Sequence, residues 1–563
     1  MKSLEMIQII FYFVLLVLLS PVLGGYMATI FEGGKNFMTF MLGPFERLIY
    51  KLSGVKMDEE MDWKRYTSSL LWFNFTGFAA LFFMLIFQDK LPMNPQNLPG
   101  LSWHLALNTA MSFMTNTNWQ SYAGEVTLSH FVQMTGLTFQ NFVSAATGIA
   151  VVLAMVRSFT RRESKLIGNF WVDLVRSTLY VLLPLSVVLA LTLSQQGVIQ
   201  NFSSDIIVKT IEGGTQEIAF GPVASQIAIK QLGSNGGGFF NSNSAHPFEN
   251  PTPFTNFLEM FSLIFIAASL VFTYGRMAGS KGHGTAIFVT MLILCIIGLA
   301  ASLYSEFLIN PNFKIAGLME GKETRFGVAN SVLWSVITTD ASNGSVNCMH
   351  ASLTPVSGMI AMLNIMLGEV IFGGVGAGLY GIIMFIIITV FIAGLMVGRT
   401  PEYLGKKIEA FEVKMAILAV LAPCATILIF TAVACVTKSG VESLCNIGPH
   451  GLSEMLYAFS SAAGNNGSAF AGLNANTAFY DTLLAIAMFI GRFAIIIPAL
   501  AIAGSMVTKK ITPPSPGTFP TDGGAFIALL ISVILIVGAL TFMPILTLGP
   551  VIEQFLMMSG KVF

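Results

Sequence analysis

The stretch Ile229-Lys-Gln-Leu-Gly-Ser-Asn-Gly-Gly-Gly238 ends a helix-like segment with a short polar run that is rich in glycine. Three other parts of the chain have a similar arrangement, and the four aligned cores are Asn116-Thr117-Asn118, Ser234-Asn235-Gly236, Ser342-Asn343-Gly344 and Asn465-Asn466-Gly467. A single core of this kind would be ordinary turn chemistry. However, the last residues of successive cores lie 118, 108 and 123 positions apart. A period of about 115 residues indicates a structural repeat, and four repeats in one chain can close a ring.

The composition places these repeats in a membrane. Hydrophobic residues make up 54% of the 563 residues and charged residues 10%, whereas a typical soluble domain has about 25% charged residues. The mean hydropathy is +0.74. The formal net charge is zero, which does not indicate a nucleic-acid partner. The six histidines and five cysteines show no ligand spacing, so the sequence predicts neither a metal centre nor a disulfide framework.

Ten apolar stretches are long enough to cross a bilayer, which takes roughly 20 residues. They are Ile7–Gly24, Tyr66–Phe87, Phe131–Val156, Trp171–Leu193, Phe254–Tyr274, Gly284–Leu308, Ser357–Val397, Val413–Val436, Phe479–Val507 and Ala525–Leu548. The first could instead be a signal peptide, but it lacks a small-x-small cleavage site, so we expect it to be retained. The seventh is too long for one crossing, and its glycine-dense centre predicts a kink or loop at membrane depth.

The distribution of basic residues sets the orientation. The loops after the odd-numbered spans hold 17 lysines and arginines, and the longer loops after spans 2, 4, 6 and 8 hold seven. The positive-inside rule therefore puts the first set in the cytoplasm and both chain termini outside. All four repeated cores then face outward.

These patterns predict an all-α polytopic membrane protein. Its ten transmembrane helices form four pseudo-fourfold membrane-pore-membrane repeats with one extra helix at each end. The predicted units are 1–65 with the first extra helix and a cytoplasmic loop, repeats at 66–170, 171–283, 284–412 and 413–510, and 511–563 with the last helix. The second membrane helix of the third repeat is expected to be broken.

The four cores predict a binding site for a desolvated monovalent cation. Irregular backbone survives at membrane depth only where protein or water satisfies its polar groups, and a ring of carbonyl oxygens can replace the hydration shell of an ion. Glycine allows the positive φ that turns a carbonyl without a Cβ clash, and Asn118 tolerates that region better than most residues. Asp340 is the only acid near the cores, whereas calcium would need several carboxylates. Potassium is preferred over sodium at this stage.

Two charges are predicted inside the membrane below the ring. Glu369 and Arg492 each lie 25 residues after the glycine that ends their repeat's core. Equal offsets imply similar depth, so we expect the charged groups to approach within about 10 Å, one Debye length. The pair would act as a gate beside the glycine-rich break, or it would fix helix register. Arg399, at the cytoplasmic end of the seventh span, is expected to anchor the span, and its motif could also dock a partner.

Five longer motifs resemble the KdpA family, the potassium-binding subunits of bacterial Kdp potassium-transporting ATPases, within the superfamily of potassium transporters. The resemblance covers essentially the whole chain and is carried by 107–121, 233–241, 319–327, 399–407 and 465–472. It implies a multi-pass protein of the bacterial inner membrane with K⁺ as the transported ion and no organic cofactor. It also implies a complex with a P-type ATPase catalytic subunit and small accessory subunits, set among membrane lipids.

The resemblance also assigns residues. The family's filter positions fall on Asn116, Ser234, Gly236, Ser342, Asn343, Gly344, Asn465 and Gly467. Positions linked to selectivity, or to a gate below the filter, fall on Gln120, Glu369 and Arg492. In such proteins the selected ion passes sideways into the pump subunit.

The chain itself carries no motif for ATP hydrolysis. It has neither an Asp-Lys-Thr-Gly phosphorylation motif nor a GxxxxGK[ST] loop, so the sequence predicts a non-catalytic transport subunit. A self-standing Trk/Ktr-like potassium transporter driven by membrane potential is the alternative. A membrane enzyme using buried carboxylates is poorly supported, because no acid–base cluster recurs across the repeats.

Overall fold

The computed structural model describes residues 3–398, 400–513 and 519–561, and the predicted anchor Arg399 lies outside this part of the chain. The described residues contain ten helices long and apolar enough to cross a membrane. They are α1 Ser3–Phe31, α3 Trp63–Ile86, α6 Phe139–Thr160, α7 Phe170–Arg176 continued by α8 Leu183–Gln195, α10 Pro253–Met277, α11 Lys281–Glu306, α14 Ala377–Val397, α15 Ala410–Val436, α18 Ala478–Met506 and α19 Gly524–Leu546. This confirms the all-α polytopic fold.

Three spans contain a π-helical segment. The segments are Val132–Thr138 before α6, Ser177–Leu182 between α7 and α8, and Thr547–Val551 between α19 and the final helix α20, Ile552–Met558. Most span ends lie within a few residues of their predicted limits. The first and last spans are exceptions. Helix α1 continues to Phe31, beyond the predicted end at Gly24, and the last span continues to Met558, beyond the predicted end at Leu548.

A short helix precedes each of the four cores. These pore helices are α4 Trp103–Met114, α9 Val223–Leu232, α12 Gly327–Asp340 and α17 Gly448–Ala463. Each one ends two residues before the first residue of its core. The cores are therefore turns at equivalent places, and each lies between two spans as the repeat predicts. The division of the chain into six units at the residues given above remains a prediction.

The predicted seventh span is broken, as its length indicated. Helix α13, Pro355–Met366, is followed by an irregular loop at 367–376 before α14 begins. The loop's Gly373 N–H donates to the carbonyl of Asp340, at the end of the third pore helix, over 2.8 Å. Gly376 has φ +89°, and a Cβ there would overlap the backbone of Gly148 on α6. The loop is thus packed in protein beneath the turns, where its backbone groups find partners.

The remaining elements lie between the spans. The helices are α2 Phe37–Ser53, α5 Gly124–Thr127 and α16 Lys438–Val441, with 3₁₀ turns at Gln88–Lys90, Asn243–Ala245 and His350–Ser352. Three antiparallel pairs join β1 Met61–Asp62 to β2 Leu166–Gly168, β3 Ile206–Lys209 to β4 Thr215–Ile218, and β5 Glu402–Tyr403 to β6 Lys406–Lys407.

The β5–β6 hairpin connects the ends of several inner helices on the side that the sequence predicts to be cytoplasmic. The buried Lys406 ammonium donates to the carbonyls of Ser158 on α6 and Met506 on α18, at 2.7 Å each, and to Arg161. The Tyr403 hydroxyl bonds with Tyr274 on α10. Because the last carbonyls of a helix have no partner within the helix, this hairpin caps two helices and contacts a third.

Candidate ion-binding site

The four turns share one backbone conformation. The first residue of each has a positive φ, with 66° at Asn116, 49° at Ser234 and Ser342 and 50° at Asn465. The third residue also has a positive φ, with 57° at Asn118, 91° at Gly236, 83° at Gly344 and 94° at Gly467, whereas the middle residue does not. Such alternation lets consecutive carbonyls face the same side, as a cation filter requires. The repeated sequence thus gives a repeated and uncommon geometry.

Hydrogen bonds close the four turns into a ring. The amide of Asn235 donates to the Asn116 side chain at 2.6 Å, which joins turn 2 to turn 1. Asn343 donates to the Lys230 carbonyl before turn 2 at 3.4 Å, and Asn466 donates to the Thr338 carbonyl before turn 3 at 2.9 Å.

The fourth junction joins turn 4 to turn 1 through Thr117, the central residue of turn 1. Asn465 of turn 4 donates to the Thr117 hydroxyl of turn 1 at 3.0 Å. The central side chains therefore fix each turn to its neighbour.

The carbonyl oxygens of the same central residues are left free. Within the described chain, no hydrogen bond ends on the main-chain oxygens of Thr117, Asn235, Asn343 or Asn466, although all four residues are buried. A buried carbonyl without a donor carries a desolvation cost of about 1–3 kcal/mol. A dehydrated cation would satisfy four such oxygens at once.

Close packing requires a residue without a Cβ at the end of three turns. A Cβ on Gly236 would overlap the Asn343 carbonyl, one on Gly344 would overlap the Asn466 carbonyl, and one on Gly467 would overlap the Thr117 carbonyl. Turn 1 ends in Asn118 instead, and its side chain lies against Gly237, where turn 2 has no side chain. The exception to the glycine pattern is thus matched by a glycine in the neighbouring turn.

The ring opens into a vestibule on the side of the loops that are predicted to face outward. A cavity of about 750 Å³ is lined by the third residue of every turn, Asn118, Gly236, Gly344 and Gly467. Gln120 also lines it. The Gln120 amide accepts from the Gly238 N–H at 2.9 Å and donates to the Gly238 carbonyl at 3.2 Å. The predicted selectivity residue therefore connects turns 1 and 2 at the rim of the ring.

Glu369 and Arg492 both lie buried beneath the ring. Glu369 is in the irregular loop, beside the Ser342 side chain of turn 3. Arg492 on α18 donates to the Ser144 carbonyl at 3.3 Å, and the Ser144 hydroxyl donates to Asn116 of turn 1 at 2.7 Å. The two charged groups interact electrostatically, but the described residues show no ion pair between them within 4.0 Å. The distance limit of about 10 Å remains a prediction.

Sequence reasoning missed a buried ion pair behind turn 2. Lys230 on the second pore helix and Glu249 are both fully buried, with the ammonium 2.6 Å from the carboxylate. The sequence signal was present, because Lys230 is one of only seven basic residues in the outer loops and falls in a pore helix. Its distance along the chain from Glu249 gave no indication of the pairing.

The described architecture consists of ten helices long and apolar enough to cross a membrane and four pore helices with their turns. It is similar to the crystal structure of the potassium transporter TrkH from Vibrio parahaemolyticus, with a TM-score of 0.53 over 89% of this chain and 98% of that one. The sequence identity is 12%, so this likeness shows the fold alone.

Sequence comparison shows the family. The family model described as KdpA, Potassium-transporting ATPase A subunit, matches residues 10–555. A relative from Rhodospirillum centenum, named as a potassium-transporting ATPase potassium-binding subunit, is 56% identical over 99% of this chain and 98% of its own length. Relatives with the same name from Leptospira interrogans and Pseudomonas aeruginosa are 53% identical, each over at least 98% of this chain. The chain belongs to the KdpA family of potassium-transporting ATPase A subunits, as its motifs predicted.

Proposed function

We propose that this protein binds extracellular K⁺ in the ring of four turns, as the ion-selecting subunit of an ATP-driven potassium uptake complex. The observation that carries the proposal is the set of four buried central carbonyl oxygens that have no hydrogen-bond donor among the described residues. The filter comprises Asn116, Thr117, Asn118, Ser234, Asn235, Gly236, Ser342, Asn343, Gly344, Asn465, Asn466 and Gly467.

The chemistry of the ring favours a weakly hydrated monovalent cation. The contributing groups are neutral carbonyls, so an ion can exchange its water for them without being trapped. The close contacts between neighbouring turns oppose contraction of the ring around a smaller ion such as Na⁺. Calcium would bring several carboxylates into the first coordination sphere, and none of the twelve filter residues is acidic.

Transport against a gradient requires energy from outside this chain. The relatives are named as subunits of an ATPase, and we place ATP hydrolysis in a P-type catalytic partner, with small accessory subunits completing the complex. Glu369 and Arg492 would control the ion's passage below the filter, next to the irregular loop. The protein would lie in the bacterial inner membrane, surrounded by lipid, with both termini outside. Arg399 would anchor the seventh span or dock a partner.

A self-standing, Trk-like transporter is the second candidate, favoured by the structural likeness to TrkH. The membrane potential supplies about 2.3 kcal/mol per charge per 100 mV, which could drive uptake without ATP. The full-length family match favours the ATPase complex instead.

Reconstitution separates the two functions. Proteoliposomes holding the purified chain alone are compared with proteoliposomes holding the chain together with its ATPase and accessory subunits. We expect K⁺ uptake only in the second preparation and only with ATP. Potential-driven K⁺ flux through the chain alone would favour the Trk-like transporter, and absence of K⁺ uptake in both preparations would contradict both functions.

A further inference from the structure

The outermost carbonyls of the four turns are not equivalent. The Gly236 carbonyl accepts a hydrogen bond of 2.7 Å from the side-chain amide of Asn243. In the described structure, no hydrogen bond ends on the main-chain oxygens of Asn118, Gly344 or Gly467. One of the four oxygens at the mouth of the ring is therefore held by a side chain, and three are free.

The orientation of the Asn243 amide is fixed by its surroundings. Its side-chain oxygen accepts from the Lys230 ammonium at 2.8 Å, from the Ser345 hydroxyl at 3.1 Å and from the Ser244 N–H at 2.8 Å. A lysine ammonium can only donate, so the oxygen must face Lys230. The amide nitrogen then has to face Gly236.

A buried ion pair holds Lys230 in place. Its ammonium is 2.6 Å from Glu249 Oε2, and Glu249 Oε1 accepts from the Phe240 N–H at 2.9 Å. Both charged side chains have no exposed surface. Taking two charges out of water carries a large desolvation penalty, and removing one partner would leave the other charge buried and uncompensated, so the pair is held together. The Ser345 hydroxyl extends the contact to the residue after turn 3.

We propose that Asn243 is a positioning residue for the filter, which sets the direction of the Gly236 carbonyl and so the K⁺ affinity of the outermost site. This inference rests on the proposed function of the ring. Asn243 lines the vestibule together with Gly236, yet it lies outside the twelve filter residues. The hydrogen bond from its amide fixes the direction of the Gly236 carbonyl. The Lys230–Glu249 pair in turn fixes the position of Asn243 relative to the pore helix.

The test compares Asn243→Ala with Asn241→Ala in the purified full-length chain. Asn241 also lines the vestibule, but within the described part of the chain its side chain makes no hydrogen bond to a filter carbonyl. Binding is measured as the shift in thermal midpoint on titrating KCl, RbCl or NaCl into a choline buffer. We expect Asn243→Ala to raise the half-saturating K⁺ concentration by about five-fold, as for the loss of one hydrogen bond, and to change the K⁺/Rb⁺ ratio.

Four outcomes are distinguishable. The inference is supported if Asn243→Ala alters affinity and ion ratio while Asn241→Ala does not, with equal midpoints in choline. Unchanged ion titrations for Asn243→Ala would overturn it and leave the proposed function intact. An equal effect of both substitutions would also overturn it, because the effect would then be a general property of the vestibule and not specific to Asn243. If the wild-type chain shows no K⁺-dependent shift, the proposed function itself fails. Should Asn243→Ala not fold, Asn243→Leu, which keeps a similar size, adds no charge and removes the donor, gives the same comparison.

Discussion

Gly236, Gly344 and Gly467 each face a main-chain oxygen of the next turn, and a side chain at any of them would displace that oxygen. Gly236→Asp therefore adds bulk and a fixed negative charge to the ring at one position. We expect this variant to lose at least tenfold in K⁺ affinity and to discriminate less against Na⁺. Ion-dependent thermal stabilisation of the purified protein measures both quantities.

Gly213→Asp is the matched control for that change. Gly213 also has a positive φ, 85°, but a Cβ there would meet nothing within 4 Å, because it lies in the exposed turn between β3 and β4. It carries the same backbone strain and the same added charge outside the ring. Equal loss of K⁺ affinity in both variants would argue against the filter assignment.

Substitutions of Gln120 test the contribution of the rim of the ring to K⁺ binding. Its amide both donates to and accepts from the backbone of Gly238, and an arginine could only donate. Gln120→Arg also places a positive charge in the vestibule, where it repels an entering cation. We expect the half-saturating K⁺ concentration to rise about five-fold, equivalent to roughly 1 kcal/mol. Gln120→Leu removes the hydrogen bonds without adding charge, and an effect as large as that of arginine would show that repulsion is unimportant.

At the scale of elements, the β5–β6 hairpin is a cap for two inner helices. Replacing Lys406 by Met leaves the carbonyls at the ends of α6 and α18 without their shared donor. We expect Lys406→Met to destabilise the fold by about 3 kcal/mol and to lower the thermal midpoint. Its exposed neighbour Lys407, 3.9 Å from Glu409, supplies the control. If Lys407→Met lowers the midpoint equally, charge rather than capping is responsible.

The fourth pore helix is tied to the C-terminal helix by one ion pair. His450 Nδ1 lies 2.7 Å from Glu553 on α20. Burial lowers the pKa of His450, but the hydrogen bond and charge of Glu553 outweigh burial, so the pKa lies above its usual value of 6.5. The pair therefore stabilises the fold fully below about pH 6.5 and loses this contribution as the pH rises through the raised pKa.

Thermal melts of wild type and His450→Gln test the direction of this pH dependence. The midpoint difference between them should be larger at about pH 6 than at about pH 9, because the wild-type imidazole loses its charge in between. A difference that is independent of pH would mean that the pair contributes by packing alone.

The break in the seventh span shows which elements the sequence could predict. Length and glycine density were sufficient to predict a kink or loop, because no single straight helix could hold that stretch. The amphipathic helix α2 was not predicted, although its exposed apolar side chains, among them Phe40 and Leu52, follow a helical period.

For the whole molecule, the repeat predicted which turns would meet, but it did not predict which hydrogen bonds the neighbouring side chains would form. Equal offsets predicted a similar depth for Glu369 and Arg492. They did not predict the partners of Arg492, because the Ser144 carbonyl and the Tyr380 hydroxyl come from other repeats. Asn243 and Lys406 were missed for the same reason. Their roles depend on contacts between distant parts of the chain, and no local pattern encodes such contacts.

The orientation of the whole molecule follows from its basic loops and has its own test. Cys445 is an exposed free cysteine in the loop before the fourth pore helix, on the predicted outer side. Asp58 is exposed in the loop after the first span, on the predicted cytoplasmic side. A membrane-impermeant maleimide added to intact spheroplasts should label wild-type protein at Cys445 and leave Cys445→Ser unlabelled.

The double variant Cys445→Ser/Asp58→Cys supplies the second half of the test. It should be labelled only after the membrane is permeabilised, because the positive-inside rule holds the six lysines and arginines of that loop in the cytoplasm. Labelling of the double variant in intact spheroplasts, together with protection of Cys445 in the wild type, would show that the protein has the opposite orientation in the membrane. The vestibule would then open to the cytoplasm, and the ring could not take up external K⁺.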